Sequence, residues 1–197
     1  QGGKKMRLSQ PQQLMASERE IVDEAYAGDI IGVFDPGIFS IGDTICTPGK
    51  KFRFGGIPTF APEHFSRVSP RDSMKRKQFI KGTEQIAQEG AIQIFKLPNS
   101  GMEEVIVGVV GTLQFDVFQY RMKSEYGVDL RMEGLPYEHL RFIAKSPVED
   151  LKDLNLSSDV ELLEDYRGHS LLVFSSLWSI DYTIKRNPGL ELSETLN

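Results

Sequence analysis

Cysteine, tryptophan and histidine are all scarce in this chain of 197 residues, which has one Cys, one Trp and three His. A lone thiol, Cys46, cannot close an internal disulfide, and such cysteine use fits a reducing cytoplasm. Its place in an apolar/polar alternation reads as buried filler rather than as a nucleophile. His64, His139 and His169 lie far apart with no acidic partner at ligand spacing, which reads as structural or surface roles and against a metal centre. No apolar run approaches the roughly 20 residues needed to cross a bilayer, so a membrane span is excluded. The start, Gln1-Gly-Gly-Lys-Lys5, lacks both the apolar core of a signal peptide and an initiator Met. The chain is therefore expected to begin inside a longer protein. A phosphate-binding loop is missing too: Gly49-Lys50 would need Gly at position 44 and Ser or Thr at 51, where Thr44 and Lys51 stand. Gly168-His169-Ser170 opens like a nucleophile elbow, but Leu172 occupies the place of the required Gly. No catalytic or cofactor-binding residue can be named, and no enzyme activity is expected of this chain.

What is present is an ordinary globular balance, 40% hydrophobic and 26% charged. The net charge of −5 conceals an asymmetry, for residues 1–81 carry 13 Lys/Arg against 9 Asp/Glu and the remainder carry 10 against 19. The cations cluster. Lys4 and Lys5 stand beside Arg7, and Lys50, Lys51 and Arg53 form a second group. Arg67, Arg71, Lys75, Arg76, Lys77 and Lys81 form a third. Such clusters in an acidic chain fit a phosphate-binding footprint, and equally a solvated helix face with turn lysines. Residues 149–165 hold seven acids and a single base, Lys152, a surface ill suited to nucleic acid.

Organisation changes near residue 57. Before it, short strands are expected at residues 6–8, 13–16, 21–23, 30–34 and 44–47. The breaks are Asp35-Pro36-Gly37, Gly42-Asp43 and Pro48-Gly49, which suit part of a small β-barrel. Gly55-Gly56-Ile57-Pro58 reads as a linker. After it, strands and helices alternate. A strand over 65–68 leads to a helix capped by Asp72 or Ser73, with Phe79, Thr83, Ile86 and Ala87 as its buried stripe. Gly90 ends it. Strands follow over 92–97 and 105–110, then a helix over 113–126 with Phe115, Phe118 and Met122 on one face and Gly127 as its stop. A strand over 128–132 completes a βαββαβ order. The order repeats with a strand over 138–144 and a helix from the capping box Ser146-Pro147-Val148-Glu149 to Leu154. Strands over 160–164 and 170–174, a helix containing Leu177, Ile180 and Ile184, and a strand over 190–192 follow. The expected fold is α+β: a partial barrel over 1–57, then two tandem ferredoxin-like βαββαβ units over 58–134 and 135–197. Trp178 reads as core or as a contact between those units, not as a base-stacking platform. Glu103-Glu104 reads as a solubilising turn and Glu149-Asp150 as a helix start.

Several strings carry a resemblance. Ala25-Tyr26-Ala27-Gly28-Asp29-Ile30-Ile31-Gly32 and Ile41-Gly42-Asp43-Thr44 resemble the strand entry and closing turn of domain two of translational GTPases. Phe52-Arg-Phe-Gly-Gly-Ile-Pro-Thr-Phe-Ala-Pro-Glu-His-Phe65 resembles the passage from domain two to domain three of the bacterial peptide chain release factor 3 family. Lys81-Gly82, Gln88-Glu89-Gly90-Ala91 and Gln93-Ile94-Phe95 continue it. Gly108-Val-Val-Gly-Thr-Leu-Gln-Phe-Asp-Val117 with Arg121-Met-Lys-Ser-Glu-Tyr126 is the most diagnostic stretch. The likeness runs from about Lys5 to Met132, and beyond Gly134 it rests on element order.

The resemblance implies a C-terminal fragment of a translation-termination GTPase, with GTP and Mg²⁺ held in a domain preceding Gln1. The partners it implies are the ribosome, mainly the small subunit and its rRNA, and the protein's own GTPase domain. Class-one release factors are affected indirectly, by being promoted to leave after termination. Candidate rRNA contacts, chosen by charge, are Lys4, Lys5, Lys50, Lys51, Arg53, Arg67, Arg71, Lys75 and Arg76. An open barrel edge is expected to rearrange or to pair with a neighbouring copy, a non-native oligomer. The alternative is a free-standing RNA-binding or regulatory module of the same architecture, which would have its native start near Gln1.

Overall fold

The computed structural model describes residues 11–15, 18–34, 39, 42–49, 52, 54 and 60–195, which fall into two compact units meeting between Ile57 and Pro58. The linker string Gly55 to Pro58 and the expected strand over 6–8 lie outside the described residues.

In the first unit, β1 (Gln12–Met15) pairs antiparallel with β2 (Glu18–Ile21) on one side and β3 (Ile31–Gly32) on the other. The partial barrel expected here is not what forms: the described residues make an open three-stranded sheet in the order β2-β1-β3. Residues 44–47, expected as a strand, are not in strand conformation. The turn after Tyr26 does behave as its residues dictate. Gly28 takes φ 105°, Asp29 N–H donates to the Tyr26 carbonyl, and the Asp29 carboxylate accepts the Tyr26 N–H at 2.8 Å. Cys46 is exposed, against the expectation of buried filler.

The second unit is built on one antiparallel sheet of eight strands, in the order β11-β8-β10-β9-β5-β6-β4-β7. Its first half comprises β4 (His64–Pro70), α1 (Arg76–Gln88), β5 (Gln93–Lys96), β6 (Val105–Val109), α2 (Leu113–Tyr126) and β7 (Leu130–Leu135). Its second half comprises β8 (His139–Lys145), β9 (Val160–Asp165), β10 (Ser170–Phe174), α3 (Leu177–Arg186) and β11 (Glu191–Ser193). Numbered within its half, each set of four strands has the order 4-1-3-2, and the two second strands, β5 and β9, join edge to edge. The two halves thus share one continuous sheet, and the second has only a 3-10 helix where a βαββαβ order calls for its first helix. Two independent four-stranded sheets would each leave an unpaired edge here, and pairing those edges satisfies their N–H and C=O groups. Only Phe95↔Asp165 and Lys96↔Glu164 make this seam, helped by a Lys96–Glu164 ion pair at 3.4 Å.

All three helices cover one face of the sheet. Under α1 and α2 lie Val68, Ile94, Val105, Val107 and Leu130, packed against Phe79, Ile86, Phe118 and Met122. The helices approach closely at Gly82, where a Cβ would stand 2.8 Å from Met122 Sδ and the Tyr126 ring. Under α3 lie Val160, Leu172, Phe174 and Leu190. The opposite face carries a single cluster shared by both halves: Phe65, Phe95 and Ile106 with Leu140, Leu163, Leu171 and Val173. Chain connections cover it. Pro62 lies over Gly108, and Tyr137 packs edge-on against Phe65. Because β6 is buried on both faces, its sequence is an unbroken Val-Ile-Val-Gly-Val rather than an alternation.

Local signals explain the helix ends. Asp72 caps a 3-10 helix (Ser73–Lys75) that leads into α1. Gly127 closes α2 at φ 66°, the left-handed conformation that Gly adopts without a Cβ penalty. The helix expected from Ser146 to Leu154 is only a 3-10 helix (Leu151–Asp153), capped by Asp150. Ser146 Oγ is engaged instead with the Val148 backbone in its own turn. The capping box of the second half is at α3. There Ser176 Oγ accepts the Ser179 N–H and Ser179 Oγ accepts the Ser176 N–H, each at 3.3 Å.

Candidate nucleic-acid interface

Of the nine cations singled out by charge, Lys4, Lys5, Lys50, Lys51 and Arg53 lie outside the described residues. Arg67, Arg71, Lys75 and Arg76, consecutive in the sequence cluster, are divided by the fold. Arg67 is in the middle of β4, and alternation puts it on the face opposite the helices. There it faces Glu133 of β7 across the strand pair, and its Nε lies 3.6 Å from Glu104. With Ser69, Arg131 and Glu133 it lines a shallow depression of about 150 Å³. Two arginines and two glutamates there compensate one another.

Arg71 is held by the backbone. Its Nε donates to the Leu130 carbonyl at 3.0 Å and its N–H to Asp129 at 2.9 Å, so it staples the start of β7 to the end of β4. Arg76 opens α1 and pairs with Glu103. The acidic turn at Glu103-Glu104 therefore holds two of the four described candidates, beyond the solubilising part expected of it. These pairs are exposed, and their contribution is on the order of a few tenths of a kcal/mol, small enough for phosphate to compete.

Lys75, half-buried at the end of the 3-10 helix, makes no ion pair with a described residue. Neither do Lys77 and Lys81. These two are exposed one turn apart on α1 and form a ridge of uncompensated positive charge beside Lys75. They belong to the basic cluster in the sequence but not to the nine candidates, and their spacing of four was the signal that would have added them. The ridge and Arg67 lie on opposite faces of the sheet, so they cannot meet one phosphate backbone segment together.

The other charged clusters are structural. Arg121 on α2 bridges Glu125, four residues on, and Glu89 beyond the end of α1. The hydrogen bond from Arg121 holds the Glu125 carboxyl below its ordinary range. Hydrogen bonds to Glu125 and Glu89 push the guanidinium pKa further above its usual value. Asp165, nearly buried, accepts the Arg167 and His169 N–H groups at 2.8 Å, so it shapes the β9–β10 turn. Its other oxygen lies 2.8 Å from His169 Nδ1, an acidic neighbour that spacing alone did not suggest. Among the described residues no group of His, Cys, Asp and Glu is placed to hold a metal, and no helix is long and apolar enough to cross a membrane. Trp178 contradicts its assignment to a core or an inter-unit contact: it is 66% exposed on α3.

Comparison with known proteins bears on what this scaffold belongs to. The family described as "Class II release factor RF3, C-terminal domain" matches residues 54–184, and "Elongation factor G domain 2" matches residues 1–48. Peptide chain release factor 3 of Symbiobacterium thermophilum is 51% identical over 188 residues, 95% of this chain and 35% of that protein. Those of Gloeobacter violaceus and Listeria monocytogenes serotype 4a are 43% and 42% identical, each over 98% of this chain and 36% of their own length. The chain thus spans about a third of the length of these relatives. The likeness continues well past Gly134, where the strings in the sequence had faded. The match takes in the whole first half of the eight-stranded sheet and the second half as far as Ile184 in α3, and the part of the family concerned is the C-terminal one. By residues, length and sequence identity, the chain belongs to the class II release factor RF3 family, as its C-terminal portion.

Proposed function

We propose that this chain is the ribosome-binding portion of a release factor 3, working in the cytoplasm. In the full-length form, GTP bound by a separate domain promotes departure of class-one release factors after termination. The observation that carries this reading is the family match over residues 54–184 together with 51% identity across 95% of the chain. Within it, Lys75, Lys77 and Lys81 are the described cations best disposed to meet rRNA phosphate, since no carboxylate among the described residues pairs with them. Arg67 and Arg76 contribute by exchanging their glutamate partners for phosphate, and Arg71 has a positioning part. Lys4, Lys5, Lys50, Lys51 and Arg53 complete the proposed set.

The test is co-sedimentation with ribosomes, for this chain and for the full-length protein, with and without a non-hydrolysable GTP analogue. Replacing Lys77 and Lys81 by Glu in the full-length protein is expected to weaken binding and flatten its salt dependence. The log–log slope should fall by roughly one for each phosphate that is no longer neutralised. Reversing Lys50 and Lys51 tests the other cluster in the same way. Unchanged co-sedimentation would remove the cluster concerned, and nucleotide-dependent binding by this chain alone would refute the placement of the switch elsewhere.

A further inference from the structure

The outer face of α3 has no part in the reading above. Trp178 is 66% exposed although tryptophan is the side chain with most to gain from burial. It is ordered against its own helix. Its indole stacks on Tyr182 one turn later, with centroids 4.8 Å apart and planes within 14°. One further turn on, the Arg186 guanidinium lies 5.3 Å from the Tyr182 centroid. Arg186 is itself anchored through Asn155. The result is a column of planar groups, Trp178–Tyr182–Arg186, along the solvent side of the helix. One end is closed by a cation. The other end is the free face of the indole.

A planar group of opposite electrostatic character completes such a column best, and both a nucleobase and a guanidinium can stack there. Charge decides between them. Over residues 135–197 Asp and Glu outnumber Lys and Arg by eleven to six. On the helix-bearing side Glu149, Asp150, Asp153 and Asp181 make no ion pair with a described residue, against two equally unpaired ammoniums, Lys152 and Lys185. Arg186 is already engaged, so carboxylates are in excess there. An RNA strand would bring phosphates against these carboxylates. A cationic polypeptide would be attracted by them and could supply the missing planar cation.

We propose that this face docks an arginine-bearing segment of a basic protein, with an arginine guanidinium stacked on the outer face of Trp178 and flanked by Asp181. The site is independent of the ribosomal reading of α1, and lysine serves it less well because an ammonium cannot stack.

Trp178 is the only tryptophan in the chain, so its emission reports on this site alone. The full 197-residue chain is titrated with an oligo-arginine peptide, an oligo-lysine peptide of equal length, and oligo-uridylate. Saturable quenching by the arginine peptide, tighter than by the lysine peptide and absent with oligo-uridylate, is expected. Asp181→Asn and Tyr182→Ala, which keep the fluorophore, should each weaken binding severalfold, by roughly two- to ten-fold. Trp178→Leu, followed through a labelled peptide, should weaken it at least as much. Equal affinity for the two peptides, quenching by oligo-uridylate, no quenching by any probe, or binding unaltered by Trp178→Leu would each overturn the proposal. The side chains of Trp178 and Asp181 are exposed, and an unchanged circular-dichroism melt of each variant confirms that folding is not what moved.

Discussion

At the scale of single residues, two positions show how environment rather than identity sets a role. Gly108 lies in β6 where Phe95 and Pro62 occupy the space a side chain would need: a Cβ would fall 2.8 Å from the Phe95 ring and 2.9 Å from Pro62. Gly108→Ala should therefore destabilise the protein by about 1–3 kcal/mol, the usual cost of overpacking, as measured by urea unfolding. Tyr137 is the second. Burial first, and then the neighbouring Glu161 carboxylate that accepts its hydroxyl proton at 3.1 Å, push its pKa from the usual 10 up to about 12. Its proton is thus bound more tightly in the folded state than in the unfolded one. The resulting stability is complete below pH 10 and is lost as pH rises through about 12. Denaturant titrations across that window should show a fall in stability that Tyr137→Phe abolishes, with little difference between the two proteins at neutral pH. A fall of the same size in the variant would assign it to other groups.

At the scale of elements, the second half of the sheet shows which sequence patterns suffice. Ser146-Pro-Val-Glu has every residue of a capping box, yet Ser146 bonds within its own turn and only a 3-10 helix follows. Ser176-Leu-Trp-Ser179 lacks the Glu or Gln of the usual pattern, yet it forms the reciprocal bonds and opens α3. Apolar burial does not separate the two, since Val148, Leu151 and Leu154 pack into the same core as Ile180 of α3. The serines do: Ser146 Oγ is taken up by the Val148 backbone, whereas Ser176 Oγ accepts the Ser179 N–H. Ser176→Ala should cost about 1 kcal/mol, the ordinary worth of a cap, read as a lower unfolding midpoint. Ser146→Ala should cost less than Ser176→Ala in the same measurement.

At the scale of the whole molecule, the β5–β9 seam governs cooperativity within residues 58–197. Only two residue pairs join the halves along the sheet, but the cluster on the helix-free face draws side chains from both. Dividing the chain between Gly134 and Leu135 would expose Phe65, Phe95, Leu163 and Leu171 together with two strand edges. Residues 58–197 are accordingly expected to melt in a single transition, with amide protection of β5 and β9 lost together. Separate transitions for the two halves would refute this. The same arrangement sets two exposed features apart: a lysine ridge lies on α1, and an aromatic column lies on α3.

Local chemistry made much of this legible beforehand. The strand and helix order of the first half, the extent of α2 with its Gly127 stop and the close of α1 near Gly90 all follow from side chains acting on their own neighbourhood. The family strings did too. Edge pairing was different. Whether two four-stranded sets stand apart or join depends on which backbone groups meet, and β5 ends at Lys96 while β9 begins only at Val160. The missing barrel, the exposure of Trp178 and Cys46, and the division of Arg67 from Lys77 were likewise decided only in three dimensions. Burial and facing are properties of what packs against a residue, and composition carries no record of that. Sequence alone determined the family strings and the local stops of the helices. Tertiary structure decided which of its charges and rings stand free to meet a partner.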